Sequence, residues 1–224
     1  MHTDAAPRAR ISLSAVVANV RAVARASSVV DLRRDARGHG FAEVCAALLT
    51  ETDVAVRADA ADAARSRIAS DRVRLTGDVD LTPDTTFGLR AGTTPALTLM
   101  GSVLGVKSLR AGEGVSYGYT FRAPTDTRIA LVTGGYAQGI PRSLGNRVRV
   151  TIEGAQHPII GRVAMDVCVV EVGSADVVRG DSVVFFGDPA HGAPTLGDWA
   201  RESGLSPLEI VAGVGLHTRR EYVR

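Results

Sequence analysis

The sequence has very little lysine. Lys107 is the only lysine among 224 residues, and all the other basic residues except the five histidines are arginine. A lysine amine can lose its proton, whereas an arginine guanidinium stays protonated in proteins. Chemistry that needs a neutral amine, such as Schiff-base formation with a carbonyl compound, therefore has one candidate residue in this chain.

Other classes of residue and pattern are scarce as well. Aromatic residues make up 4% of the chain, which predicts a core of Val, Ala and Leu. No apolar run approaches the ~18 residues that span a bilayer, and a net charge of +2 without a basic stripe argues against nucleic-acid binding. The histidines lack zinc-ligand spacing. Cys45 and Cys168 lie in apolar segments, which predicts buried free thiols and a cytoplasmic location.

The first ~90 residues alternate helical and strand patterns. Ser14 is the predicted N-cap of the first helix, whose apolar residues are spaced three and four apart. Short strands are predicted at Val29–Leu32, Val54–Val56 and Val73–Leu75, with helices between them at Phe41–Leu49 and Asp59–Ala69. This βαβα order predicts a parallel arrangement.

From about Thr98 the pattern becomes one of short strands and Gly-rich turns. Strands are predicted at Leu99–Val106, Ala130–Thr133, Arg147–Ile152, Pro158–Val163, Val167–Val172 and Ser182–Phe186. These strands favour an all-β barrel or sandwich. Helices are predicted at Leu196–Glu202 and from Pro207, with Ser206 as N-cap. The fold class is therefore α+β, with domains at 1–92 and 93–224.

The segment Asp31-Leu32-Arg33-Arg34-Asp35-Ala36-Arg37-Gly38-His39-Gly40 resembles a motif of the alanine racemase family, the fold type III enzymes that depend on pyridoxal 5′-phosphate (PLP). In that family the motif carries the lysine that forms the Schiff base with PLP, followed by a tyrosine. On this resemblance Arg33 stands at the lysine position and Arg37 at the tyrosine position. A guanidinium cannot take over the role of the amine.

Three later motifs resemble the C-terminal half of the same family. Gly112–Gly118 places Tyr117 at the position of the acid/base tyrosine. Gly135–Gly139 and Val163–Asp166 are similar to the substrate-entry segments that one subunit offers to its dimer partner, and they carry Tyr136, Met165 and Asp166. In the closing segment, Glu209–Arg220, Leu216 stands where the family usually keeps a tyrosine that reaches the PLP phosphate.

The resemblance implies a partial (β/α) barrel fragment followed by a complete C-terminal β domain. A whole (β/α)8 barrel takes about 250 residues, and far fewer precede the predicted domain boundary. Thr85–Leu89 resembles the final barrel strand. Leu81 and Thr82 occupy the place of an arginine that anchors PLP in the family. A few parallel strands cannot close a barrel, so their edges need cover.

These substitutions predict a non-catalytic member of the family, without a cofactor, that has a binding, regulatory or assembly role. Two alternatives remain open: an active PLP-dependent racemase that uses Lys107, and a cofactor-free enzyme that uses Tyr117 and Asp166. A decaying gene product is a further possibility. The resemblance also implies a homodimer, or pairing with a related chain, and it gives no reason to expect a nucleic-acid or membrane partner.

Overall fold

A computed structural model describes residues 6–224 of the chain. Two compact units are present. The barrel unit comprises residues 6–9 and Thr98–Arg219, and the α/β unit comprises Arg10–Leu97 and Arg220–Arg224. No helix among the described residues is long and apolar enough to cross a membrane.

The α/β unit is built around a parallel sheet, as the sequence predicted. β1 (Arg8–Ser12) begins in the barrel unit and is not a strand of this parallel sheet. The elements of the α/β unit that follow it are α1 (Leu13–Arg21), β2 (Val29–Asp31), α2 (Arg33–Arg37), α3 (Phe41–Glu51), β3 (Ala55–Arg57), α4 (Ala60–Ser66), β4 (Val73–Arg74) and α5 (Pro83–Thr86). The strand order is β2-β3-β4. Val30 also makes an isolated parallel bridge to Leu81. The apolar faces of α1 and α3 join this sheet in one buried cluster that includes Val16, Val44 and Val56.

Two local predictions in this unit are wrong. The N-cap of α1 is Ser12 and not Ser14, because the Ser12 hydroxyl accepts a hydrogen bond from the amide of Ala15 at 3.1 Å. Thr85–Leu89 is not a strand, because its first residues belong to the short helix α5. Pro83 occupies the first turn of α5, where its fixed φ favours helix.

The barrel unit contains most of the antiparallel strands. Its elements are β5 (Leu97–Leu109), β6 (Gly114–Val115), β7 (Phe121–Arg122), β8 (Thr127–Thr133), β9 (Arg149–Ile152), β10 (Ala155–Ile160), β11 (Val167–Glu171), β12 (Ser182–Phe186), α6 (Leu196–Ser203) and α7 (Pro207–His217); β13 (Arg219–Val223) ends the chain. Six strands follow the order β12-β9-β10-β11-β8-β5, and β12 pairs with β5. The sheet is therefore a closed barrel rather than a sandwich.

The local signals in the barrel unit give the predicted structure only in part. In β9, Val150 and Ile152 are fully buried and Arg149 is exposed, but Thr151, which a strictly alternating strand would expose, is also buried. Ser206 is the N-cap of α7 in a capping box: its hydroxyl accepts from the Glu209 amide at 3.3 Å, and the Glu209 carboxylate accepts from the Ser206 amide at 2.8 Å. β6 and β7, which the sequence did not reveal, form a separate hairpin.

Candidate functional site

A buried carboxylate lies at the carboxyl end of β2. Asp31 is 3% exposed, and Arg33 holds it with two parallel hydrogen bonds, Nε to Oδ1 and Nη2 to Oδ2, each 2.8 Å long. Arg37 Nη2 adds a third bond to Oδ2 at 3.3 Å. Burial raises the pKa of Asp31, but the hydrogen bonds and charge of Arg33, helped by Arg37, outweigh it and hold that pKa below its usual value. The carboxylate is therefore ionised and tightly held at neutral pH.

The residues after Arg33 form a turn of left-handed helix. Four successive residues have positive φ: Arg34 (57°), Asp35 (53°), Ala36 (50°) and Arg37 (54°). This conformation costs roughly 1–2 kcal/mol per residue for L-amino acids, so other contacts have to stabilise it. The carboxylates of Asp59 and Asp62 accept the amides of Arg34 and Asp35 at 2.6 and 2.8 Å.

The second half of the motif is held by packing. His39 is fully buried and stacks on Phe87 with ring centroids 3.9 Å apart, and burial lowers the pKa of His39 to about 4. The imidazole is therefore neutral at physiological pH. Gly40 has a φ of +89°, and a Cβ there would collide with the Tyr222 hydroxyl, so only glycine fits. These residues fix the turn rather than perform chemistry.

Tyr117 lies on the turn between β6 and β7, and 83% of its surface is exposed. Its neighbour Ser116 has a φ of 60°, and a Cβ added to Gly118 would stand 3.7 Å from the Arg162 guanidinium carbon. The phenol thus projects from a tight turn towards solvent.

The structure brings Tyr136, Met165 and Asp166 together from two segments, and we call these three residues the exposed ridge. The Tyr136 amide donates to the carbonyl of Ala164 at 2.9 Å, and Gln138 Nε2 donates to Asp166 Oδ1 at 3.0 Å. Tyr136 and Met165 are 38% and 54% exposed. The ridge therefore presents an aromatic ring, a thioether and a carboxylate on one surface.

Gly135 makes this close approach possible. A Cβ at Gly135 would overlap the carbonyl oxygens of Ala164 and Met165. The Arg142 guanidinium lies over the Tyr136 ring, 5.1 Å from its centroid. The ridge is thus fixed by backbone packing and by a cation–π contact.

Two further predicted positions lie in the barrel unit. Leu216 is on α7 and is 58% exposed. Lys107 is on β5, in register with Ile129, and borders a cavity of about 410 Å³ lined mainly by apolar side chains such as Val106 and Val115. Neither residue belongs to the unit that holds Asp31 and Arg33.

The sequence analysis missed two charged residues near Asp31. Arg57 and Arg74 end β3 and β4, and the parallel register places Arg57 beside Asp31 and Arg74 beside Arg57. A signal was available, because two of the predicted strands in this half are directly followed by an arginine and the third contains Arg74. It was not used because strand ends only converge once the pairing order is known.

Comparison with known proteins identifies relatives over more than half of the chain. The family profile described as "Alanine racemase, C-terminal domain" matches residues 96–222. The alanine racemase of Mycobacterium ulcerans is 41% identical over 168 residues, covering 71% of this chain and 43% of the relative. That of Mycobacterium tuberculosis is 45% identical over 133 residues, covering 58% of this chain and 35% of the relative. The chain thus spans about two fifths or less of these curated relatives.

Solved structures share the fold. The alanine racemase of Streptomyces lavendulae aligns with a TM-score of 0.86 at 22% identity, over 100% of this chain and 98% of that chain. The enzyme of Bartonella henselae aligns with a TM-score of 0.83 at 16% identity, over 98% and 100%. These likenesses show an alanine racemase-like fold in which the C-terminal domain is present.

The prediction that no cofactor is involved is wrong. It is contradicted by the matched relatives, since the B. henselae structure contains covalently bound pyridoxal phosphate. The prediction inferred the loss of the cofactor from Arg33, Arg37 and Leu216, from the missing anchoring arginine and from the incomplete barrel. A Schiff base is only one of the interactions that hold such a molecule, because its phosphate and ring also bind protein groups.

Proposed function

Because this chain belongs to the alanine racemase family, we propose that it is a member that does not racemise alanine and that acts by binding or assembly. One observation carries the proposal: Arg33, which the resemblance places at the family's Schiff-base position, is held by the buried carboxylate of Asp31 in a bidentate ion pair. A guanidinium in such a pair keeps its proton. The usual pKa of arginine is already far above neutral, and the hydrogen bonds and charge of Asp31 raise the pKa of Arg33 above that usual value.

PLP is the cofactor of the family. When bound, it would supply an electron sink that stabilises negative charge on the substrate. The described residues do not fit covalent attachment at the family's position. Arg33 offers no neutral amine there, and the hydrogen-bonding face of its guanidinium is occupied by Asp31. Leu81, which stands near the place of the family's anchoring arginine, is buried and apolar.

An active racemase that uses Lys107 is the first alternative. Lys107 borders a cavity lined mainly by apolar side chains, although the lysine side chain is itself exposed. It lies, however, on β5 of the barrel unit, whereas the resemblance places the Schiff base after the first strand of the N-terminal half. The cofactor-free alternative requires Tyr117 and Asp166 to act together, yet Asp166 already accepts a hydrogen bond from Gln138.

The test is the formation of D-alanine from L-alanine with PLP in excess. We expect no turnover above PLP alone, and we expect Arg33→Lys not to restore it, because Arg37 and Leu216 still occupy the two tyrosine positions. Turnover by the unaltered chain that disappears in Lys107→Gln would contradict the proposal and support the first alternative. Turnover that survives without PLP and is lost in Tyr117→Phe would support the second.

We also propose that the N-terminal half is a partial (β/α) barrel, with domains at 1–92 and 93–224. The parallel β2, β3 and β4, with the bridge to Leu81, support this reading. Cys45 and Cys168 are buried free thiols, and burial raises the pKa of both, to about 11 and about 12. Such unreactive thiols are compatible with the predicted cytoplasmic location.

An assembly role requires a surface that meets another chain, and we propose a homodimer or a pair with a related chain. The exposed ridge supports this, because the resemblance assigns its two segments to the face that approaches the partner subunit. Large exposed side chains such as Met165 and Tyr117 are typical of contact surfaces. These exposed side chains are present although Arg33 stands where the resemblance places the Schiff-base lysine.

Sedimentation velocity at micromolar concentration tests the assembly. We expect a dimer that Tyr136→Ala and Asp166→Arg weaken. Asp176→Arg, which reverses the charge of another exposed aspartate, should leave the dimer unchanged. A folded monomer at every concentration would argue against self-association, and a dimer indifferent to the ridge variants would place the interface elsewhere.

A further inference from the structure

The carboxyl ends of β2, β3 and β4 place three charged residues in one row. Asp31, Arg57 and Arg74 are the last residues of these strands, and the parallel register pairs Asp31 with Arg57 and Arg57 with Arg74. Register partners in a sheet point to the same face. In open parallel α/β sheets, ligands bind at the carboxyl ends of the strands.

The carboxylate in this row has no capacity left for Arg57. Asp31 accepts hydrogen bonds from both Arg33 and Arg37. Arg57 therefore stands next to a carboxylate that other arginines already occupy. Its Nε and Nη1 atoms are buried and have no hydrogen-bond partner among the described residues, and the same is true of Nε of Arg37.

The neighbouring charges do not compensate Arg57 either. Arg74, its register partner, carries the same charge, is exposed, and takes part in none of the ion pairs found among residues 6–224. Asp59 is the next carboxylate along the chain, and it accepts the Arg34 amide at 2.6 Å. Arginines thus outnumber carboxylates at this edge of the sheet.

We propose that Arg57 and Arg74, supported by Arg37, bind an oxyanion, which is the phosphate or carboxylate group of a small molecule. Buried guanidinium donors without an acceptor are costly, and a bound oxyanion would satisfy them. The guanidinium fork matches the oxygen atoms of phosphate and carboxylate groups in a bidentate manner. Arg33 and Asp31 hold Arg37 in place beside this site. The inference rests on the strand register, the buried donor atoms and the charges of these arginines, so it holds whether or not the chain racemises alanine.

Isothermal titration of the full chain at constant ionic strength tests the site, with inorganic phosphate in one arm and malonate in the other. We expect saturable binding of at least one anion, and the stronger arm identifies the oxyanion class. Arg57→Gln and Arg74→Gln should each weaken that binding, Arg57→Gln by about tenfold or more, because it removes a charge-assisted hydrogen bond. Arg179→Gln, which removes an exposed arginine from the barrel unit, should bind as the unaltered chain does.

Two results would overturn the inference. One is the absence of saturable binding in both arms. The other is binding that remains unchanged in both Arg57→Gln and Arg74→Gln. Arg74 is exposed, so its variant should fold even if that of Arg57 does not. The D-alanine assay is independent of both results, so failure of this inference and failure of the proposed function can be told apart.

Discussion

The sheet of the barrel unit closes on itself, whereas the parallel sheet of the α/β unit stays open. The barrel unit joins six antiparallel strands into a ring by pairing β12 with β5, so each of the six is paired along both edges. The α/β unit has three short parallel strands in an open row, with β4 at one end. A ring satisfies its backbone groups internally, whereas an open row leaves edges to be covered by other segments. The difference predicts that the two units have unequal stability.

Native-state amide exchange is expected to show the largest contrast. β11 pairs with β10 on one side and with β8 on the other. Its backbone amides should exchange with solvent at least about 1000-fold more slowly than those of β4. Limited proteolysis should cut first before Gly92, on the exposed turn at Ala91 and Gly92, and should leave a fragment of about Ala96–Arg224. A protected N-terminal fragment together with a digested C-terminal one would show that the α/β unit is the more stable of the two.

Core truncation in the barrel unit should have the next largest effect. Trp199 is fully buried and meets the rings of Phe185 and Phe186 at centroid distances of 6.2 and 4.8 Å. Trp199→Ala should lower the free energy of unfolding of this unit by about 3–5 kcal/mol. Urea unfolding followed by circular dichroism measures it, with Tyr117→Ala as an exposed control expected within about 0.5 kcal/mol. Equal effects of the two variants would show that Trp199 is not part of the core.

A pH dependence should distinguish the α/β unit. The pKa of His39 falls from 6.5 to about 4 because the ring is buried. Between these pH values the unfolded chain binds a proton that the folded unit does not bind. The free energy of unfolding should therefore decrease as the pH falls from about 6.5 to about 4, by about 3 kcal/mol in total.

Variants of two histidines isolate this contribution. His39→Phe, which can still stack on Phe87, should flatten the pH dependence, while His191→Gln, at an exposed histidine, should keep it. Chemical denaturation at a series of pH values is the measurement. An unaltered slope in His39→Phe would show that His39 is not the group responsible.

The smallest predicted effect concerns the cap of α7. Ser206→Ala removes the hydroxyl that accepts the Glu209 amide, and it should cost about 1 kcal/mol of stability. Ser143→Ala, at an exposed serine, should be neutral. Thermal unfolding of the two variants side by side measures the difference. Equal melting temperatures of the two variants would mean that the capping box of α7 does not stabilise the barrel unit.

Local signals explain how much of the fold the sequence could predict. The cap at Ser206-Pro207 depends only on neighbouring residues, and that prediction is confirmed. The cap of α1 was misplaced because Ser12 and Ser14 are both suitable caps and lie two residues apart. Thr85–Leu89 was misassigned because the resemblance to a family strand was given more weight than Pro83, a proline that favours the start of a helix.

The candidate site was only partly predictable, for a different reason. Arg33 and Arg37 were identified from one contiguous motif, but the same motif does not reveal that Asp31 binds them both. Arg57 and Arg74 become neighbours of Asp31 only through the parallel register. Likewise, Tyr136 and Asp166 are about 30 positions apart, and the turn that joins them depends on Gly135. Which of these residues become neighbours depends on contacts between segments that are distant in the sequence.

We propose that the α/β unit carries arginine where catalysis in this family needs an amine, while the barrel unit keeps the residues that the resemblance assigns to the partner-facing surface. The most direct test is proton NMR of L-alanine in D₂O with the protein and excess PLP. We expect the Cα proton signal to be lost no faster than with PLP alone. A protein-dependent loss of that signal, abolished in Lys107→Gln and unaffected in Arg179→Gln, would contradict the proposal.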